Sequence, residues 1–216
     1  QIYTNIYNLA IKLSRKVTLS EIKASYGYKN EDNPGLFFYP AVQSAHITLP
    51  QECFGIKNVL VTIGPDEDTH IRISRDIAER VGYNKPAILH ARFLPGIDGE
   101  KMSKSRNNAI FLRDDEETIR KKVSKAYSGG AVTAEEHRRY GGKPESDVAI
   151  FYLTNLFLNR KESEKITEDY KKGRILSGEV KKILSDKLVE FVKEFQARLK
   201  TISQKDLDRV IMKNKI

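Results

Sequence analysis

Two short apolar runs flanking one helix-length segment constrain this chain more than any other feature. KNVLVTI, residues 57–63, is rich in β-branched side chains and stops abruptly at GPDEDTH, so it reads as a strand buried on both faces. HIRISRDIAERVG then brings Ile71, Ile73, Ile77 and Val81 inward at helical spacing, with Gly82 beyond its end. KPAILHARFLPG is a second run of strand type. Strand, helix and strand in this order form a βαβ unit, which demands a parallel sheet. Ligands of such sheets sit beyond the carboxyl ends of the strands. Two segments follow a strand there: GPDED at 64–68 and GIDGEKMSKSRNNAIFL at 96–112.

The flanking segments are helical in pattern. Ile2, Ile6, Leu9 and Leu13 predict an amphipathic helix over 2–16. Thr18 with Glu21 makes a capping box for a short second helix that Gly27 ends. KNEDNPGLFFYPAVQSAH starts turn-rich and then crowds aromatics ahead of AVQSA, a segment able to approach a ligand. From Asp114 onward the character changes. Asp114 and Glu117 stand at capping-box spacing, and so do Thr133 and Glu136, with Gly141 and Gly142 as the stop. SDVAIFYLTNLFL reads as an interior helix, with a strand as the weaker alternative. A polar helix covers about 161–172, and a long one at 177–200 lines up Val180, Leu184, Leu188, Phe191 and Phe195. The expected class is α/β in residues 1–113 followed by an all-α bundle in 114–216.

Charge divides the chain in the same way. Residues 1–100 carry 11 Lys and Arg against 11 Asp and Glu, whereas residues 101–216 carry 27 against 18, the whole of the net +9. A basic second half points to a polyanion such as nucleic acid; the plainer reading is lysine solubilising helices. No apolar run approaches the roughly 18 residues that span a bilayer, and no signal-peptide pattern opens the chain. A lone Cys53 leaves no disulfide framework and no thiolate metal cluster, and His46, His70, His90 and His137 lack metal-ligand spacing, so no metal site is expected. A reducing, cytoplasmic setting is the default.

The two strand-end segments suggest one chemistry. A carboxylate at a strand end accepts both hydroxyls of a ribose, and Asp66 is best placed for that, with Glu67 beside it for a substrate ammonium. The alternative is that Asp66, Glu67 and Asp68 cap the following helix, although capping needs one carboxylate rather than three. Lys101 and Lys104 on a turn-rich loop suit a triphosphate, and an ammonium that meets the departing pyrophosphate as charge builds raises the rate. Composition alone would also allow a solvated surface loop.

GEKMSKS matches the lysine signature of the class I aminoacyl-tRNA synthetases. With PAVQSA, GPDEDTHIRISRDIAERVGY, KPAILHARFLPG, AYSGG and EEHRRYGG, the chain from about residue 2 to 210 resembles the tryptophanyl-tRNA synthetase family in its archaeal and eukaryotic branch. The resemblance implies the C-terminal part of a Rossmann-like parallel-sheet catalytic domain followed by an anticodon-binding helical bundle. It implies ATP with Mg²⁺, tryptophan and tRNA as partners, a homodimer in the full-length enzyme, and no membrane. It implies that Gly64 and Asp66 hold the ATP ribose and that the Met102 backbone lies near adenine. Lys101, Ser103 and Lys104 would bind and stabilise the triphosphate, with the two lysines as the catalytic pair. Gln43 would touch the amino-acid ammonium or carboxylate, and Glu67, where the family often has Gln, would meet the ammonium. Ala131 and Val132 replace the Arg-Asp pair of eukaryotic relatives, so no anticodon-reading residue is assigned.

The His-x-Gly-His signature of class I enzymes is absent, since no histidine is followed by Gly-His two residues on. Together with Gln1 as first residue, this leads to the expectation of a C-terminal portion that does not activate tryptophan alone. Two rivals remain at this point: a tyrosyl-type enzyme, and a non-catalytic RNA-binding module of synthetase descent.

Overall fold

Helix α1 (Thr4–Ser14) forms where apolar residues recur every three to four positions, and it buries Ile6, Leu9, Ala10 and Leu13. The structure, a computed structural model, describes residues 4–210; Ile2, expected on the same stripe, lies outside them. Helix α2 (Leu19–Tyr26) carries the full capping box, with Thr18 accepting from the Glu21 amide and Glu21 accepting from the Thr18 amide. Gly27 ends it in a left-handed conformation.

Helix α3 (Pro34–Phe54) has no helical reading in the sequence, because Pro40 and Pro50 stand inside it. A buried pair of hydroxyls ties it to a neighbouring helix. Ser44 Oγ donates to the Pro40 carbonyl at 2.8 Å and lies 2.9 Å from Ser74 Oγ of α4 (Asp68–Arg80). Helices α1, α3 and α4 enclose one small core around Leu13, Ala41, Ala45 and Ile77, with Ile73 and Val81 half-buried against it.

Strands β1 (Leu60–Ile63) and β2 (Ala87–His90) pair in parallel, Leu60 with Ala87 through Ile63 with His90, joined by α4 as the βαβ pattern requires. The expectation of burial on both faces does not hold. Val61, Ile63 and Ile88 are half-buried, but Leu60 and Leu89 on the opposite face are 64% and 55% exposed. Among the described residues the sheet has two strands, and nothing in this unit covers that second face.

The second half builds a larger core from α5 (Glu116–Ser124), α7 (Val148–Tyr152), α8 (Arg160–Lys171) and α9 (Ser177–Thr201), with α6 (Ala134–Tyr140) setting the buried His137 against Tyr170 and α10 (Gln204–Val210) following. SDVAIFYLTNLFL is an interior helix as expected; α7 runs into a π-turn over Leu153–Phe157, where Leu158 N donates to the Leu153 carbonyl. Asp115, not Asp114, caps α5 by accepting from the Thr118 amide. Asp114 is drawn away by Lys122 at 2.6 Å and by the Phe111 amide. The apolar stripe of α9 also shifts. Val180, Leu184 and Leu188 are buried as expected, but Val189 and Val192 continue the seam, leaving Phe191 49% exposed beside the Phe157 ring.

Asp147 knots this half together. Its carboxylate accepts from the Ile150 amide, the Gly129 amide, the Ser128 hydroxyl and the Tyr170 hydroxyl at 2.7–3.1 Å. Gly142 N donates to the Tyr170 carbonyl and Lys143 N to the Gly129 carbonyl, so the SGG and YGG motifs meet at this knot. Burial pushes the Tyr170 phenol up to about 12, keeping it a donor.

Packing divides the chain between Phe93 and Leu94, twenty residues before the expected boundary at 113. The physical reason is that Leu94, Ile97, Met102 and Ile110 pack against the helical core, so the lysine loop belongs to the second compact unit. No helix among the described residues is long and apolar enough to cross a membrane.

Candidate functional site

In the first unit the chain leaves β1 at Gly64 and makes one 3₁₀ turn, Pro65–Glu67, before α4 begins. Gly64 is tightly placed: a Cβ there would meet Asp66 Oδ1 at 2.8 Å and the Phe93 ring at 3.0 Å. Glu67 stands at the N-cap of α4 yet makes no side-chain cap bond. Its carboxylate turns sideways, accepting from Gln43 Nε2 at 3.0 Å and lying 3.2 Å from His70 Nδ1. Asp68 likewise engages Arg72 at 2.7 Å and His90 at 3.2 Å. Glu67 and Asp68 therefore spend their carboxylates on other side chains.

Gln43 and Glu67 belong to a wider cluster. Tyr26 OH donates to Gln43 Oε1 at 2.7 Å, and its ring stacks on His70 with centroids 3.9 Å apart and planes 4° from parallel. Tyr28 and Tyr39 pack around Tyr26, and burial raises its phenol far above the ordinary value, so it remains a proton donor. Gln43 is thus held at both ends of its carboxamide, and Glu67 receives two donors. The sequence alone names Gln43, Gly64, Asp66 and Glu67 as candidates and does not name Tyr26 and His70, whose partners lie on other elements. The one available signal was the aromatic crowding near PAVQSA.

In the second unit the lysine loop is a closed turn. Pro95 and Lys101 form an antiparallel bridge, Gly96 N donates to the Glu100 carbonyl at 2.7 Å, and Ile97 N donates to the Asn108 carbonyl at 2.8 Å. Lys101 and Lys104 are exposed, Met102 and Ser103 half-buried. Ser103 Oγ lies 2.8 Å from Ser105 Oγ. Behind them Asn108, 3% exposed, donates to Asp98 at 2.8 Å and to the Lys101 carbonyl at 3.1 Å, and accepts from the Ser103 amide at 2.8 Å. Sequence reasoning did not single out Asn108 either. Its one hint is Asn107, whose φ of +50° is the one positive value on a non-glycine residue among the described residues.

The structure thus brings Gln43, Gly64, Asp66 and Glu67 together in the first unit, and Lys101, Met102, Ser103 and Lys104 in the second. No group of three or more His, Cys, Asp or Glu side chains suited to a metal ion occurs among the described residues.

The first unit thus carries a strand-end acid cluster and the second a KMSKS loop, and comparison with known proteins adds the family. Residues 4–193 match the family described as tRNA synthetases class I (W and Y). The chain belongs to this family. It is 42% identical over 211 residues to the tryptophan–tRNA ligase of Sulfolobus acidocaldarius, a match that covers 95% of the chain and 54% of that protein. The crystal structure of tryptophanyl-tRNA synthetase from Aeropyrum pernix superposes with a TM-score of 0.83 at 38% identity, over 92% of this chain and 55% of the other. Tyrosyl-tRNA synthetase from the same organism gives 0.68 at 22% identity, over 89% of this chain and 57% of that one, which shows likeness of fold alone. The chain spans about half the length of the curated relatives it matches. A class I synthetase fold with a parallel sheet and mostly helical content accounts for both units.

Proposed function

We propose that this chain is the portion of a tryptophan–tRNA ligase that holds the ATP ribose, the amino-acid ammonium and the triphosphate, and that its helical unit binds tRNA on the anticodon side. The observation that carries the reading is an intact lysine loop, Lys101, Ser103 and Lys104, tied down behind by Asn108, in a chain of the W and Y family. In the complete enzyme the sheet continues as a Rossmann-like domain, which agrees with the uncovered Leu60 and Leu89.

The chemistry follows from charge. Asp66, beside a glycine with no room for a side chain, accepts the ribose hydroxyls of ATP as substrate. Glu67 presents a carboxylate to the tryptophan ammonium, and Gln43 offers its carboxamide alongside. The tryptophan carboxylate then attacks the α-phosphate and expels pyrophosphate. Lys101 and Lys104 place two positive charges where negative charge accumulates, so they act on the barrier more than on binding. Mg²⁺ enters with the triphosphate, in keeping with its habit of binding through substrate phosphates. In the second step a ribose hydroxyl at the tRNA 3′ end takes the aminoacyl group. A homodimer and a cytoplasmic setting complete the proposal.

Tryptophan-dependent ATP–pyrophosphate exchange tests it, measured on this chain and on the complete enzyme that contains it. The complete enzyme exchanges with tryptophan and not with tyrosine, and the chain alone does not exchange. Lys104→Ala in the complete enzyme lowers the exchange rate about ten- to a hundredfold, since a charge-assisted contact is worth roughly 1.5–3 kcal/mol and each 1.4 kcal/mol is about tenfold. An unchanged rate, with RNA affinity alone weakened, would leave only a basic RNA-binding module.

A further inference from the structure

We propose that Asn108 is the positioning residue of the lysine loop, one buried carboxamide that fixes the two peptide groups from which Lys101 and Ser103 project. The inference rests on the proposed activation of an amino acid at this loop.

A carboxamide has one acceptor oxygen and two donor hydrogens held in a plane. Asn108 uses all of these. Its oxygen takes the Ser103 amide, and its nitrogen serves Asp98 and the Lys101 carbonyl. The orientation is dictated by the partners, because turning the group over would set N–H against the Ser103 N–H and oxygen against the Lys101 carbonyl. Two of these bonds land on either side of Met102, so the backbone from Lys101 to Ser103 is clipped in one conformation. Met102 itself packs against the helical core and anchors the same stretch from its other side.

The surrounding backbone is shaped around this side chain. A Cβ on Gly96 would meet Asn108 Nδ2 at 2.2 Å and Cγ at 2.5 Å, so Gly96 leaves the space the carboxamide fills. Ile97 N reaches the Asn108 carbonyl, which closes the loop on both the side-chain and main-chain atoms of one residue. The Asn108 hydrogen bond also holds the Asp98 carboxyl below its ordinary range, so Asp98 is a fixed negative acceptor. Neither an isosteric acid nor an isosteric hydrocarbon makes this set of bonds. Asp lacks the donors, and Leu, of similar volume, would leave the Ser103 amide and the Lys101 carbonyl without partners. A loop that must present ammonium groups to a developing charge gains most when it does not have to reorganise at that moment.

The test uses three variants of the complete enzyme in pyrophosphate exchange: Asn108→Ala, Asn108→Asp, and Asn108→Asp combined with Asp98→Asn. Hydrogen exchange of the Ser103 amide is read alongside. Asn108→Ala lowers kcat about tenfold or more with KM for tryptophan within about twofold, and speeds Ser103 amide exchange by a similar factor. Asn108→Asp, with two carboxylates face to face, is at least as impaired. The double variant restores the link to residue 98 with polarity reversed and keeps an acceptor for Ser103 but leaves the Lys101 carbonyl without its donor, so it recovers part of the kcat lost in Asn108→Asp and stays below the unaltered enzyme. Loss of thermal stability with kcat per folded molecule unchanged would overturn the proposal, as would an unprotected Ser103 amide in the unaltered protein. A complete enzyme that shows no tryptophan-dependent exchange before any substitution would instead remove the functional reading beneath it.

Discussion

At the level of single residues, what could be read in advance was whatever carries its meaning in the local string. Lys101, Ser103 and Lys104 are legible because they follow a strand-type run and spell the KMSKS signature, although their composition alone also fits a solvated loop. Thr18 and Glu21 do so because a capping box is complete within four positions. Tyr26, His70 and Asn108 are different. Tyr26 meets Gln43 seventeen positions away, and Gln43 meets Glu67 across another twenty-four, so neither contact leaves a periodic trace. The cluster makes a definite claim about Tyr26. Tyr26→Phe keeps the stack on His70 but strips one donor from Gln43, so KM for tryptophan should rise about fivefold, the worth of roughly 1 kcal/mol of hydrogen bond. KM for ATP should hold within about twofold. Steady-state exchange kinetics on the complete enzyme decide, and an equal rise in both constants would mean a general loosening rather than the loss of one contact.

Elements were legible where backbone chemistry repeats and illegible where tertiary contacts override it. The capping boxes at α2 and α6 appear as read. The start of α5 moved by one position because Lys122 captures Asp114, and α3 hid behind the two prolines inside it. The second face of the sheet could not be read, since an apolar strand looks the same whether or not its cover is present in the chain. Helix α2 offers a pH test. The Arg80 guanidinium, and after it the Thr18 amide and hydroxyl, hold the Glu21 carboxyl at about 2, below its ordinary 4.5. The folded state thus releases its proton more readily than the unfolded chain, so the contribution is complete above about pH 4.5 and fades as pH falls toward about 2. Glu21→Gln should lower the thermal midpoint near neutrality, and the gap to the unaltered protein should close on acidification. A gap that stays constant with pH would show that the carboxylate charge is not what α2 depends on.

Taken whole, the molecule is two cores of unequal size. The βαβ pattern and the helical second half were legible because periodicity and charge change along the chain; the division itself was misplaced, since the lysine loop carries just enough apolar weight to join the helices. Fifteen buried residues build the second core against seven in the first, among the described residues. Buried apolar area is the main favourable term in folding, so on adding urea the amides of α3 and α4 should lose protection before those of α7 and α9. Hydrogen exchange read by mass spectrometry gives the order, and a single simultaneous loss would mean that the two cores unfold as one. The bare side of β1 and β2 adds a practical corollary. Leu60, Ala87 and Leu89, interrupted on that face by Thr62 alone, invite like to find like. Handled by itself at high concentration, this polypeptide should stick to its own copies and to vessel walls, with trace detergent the natural remedy.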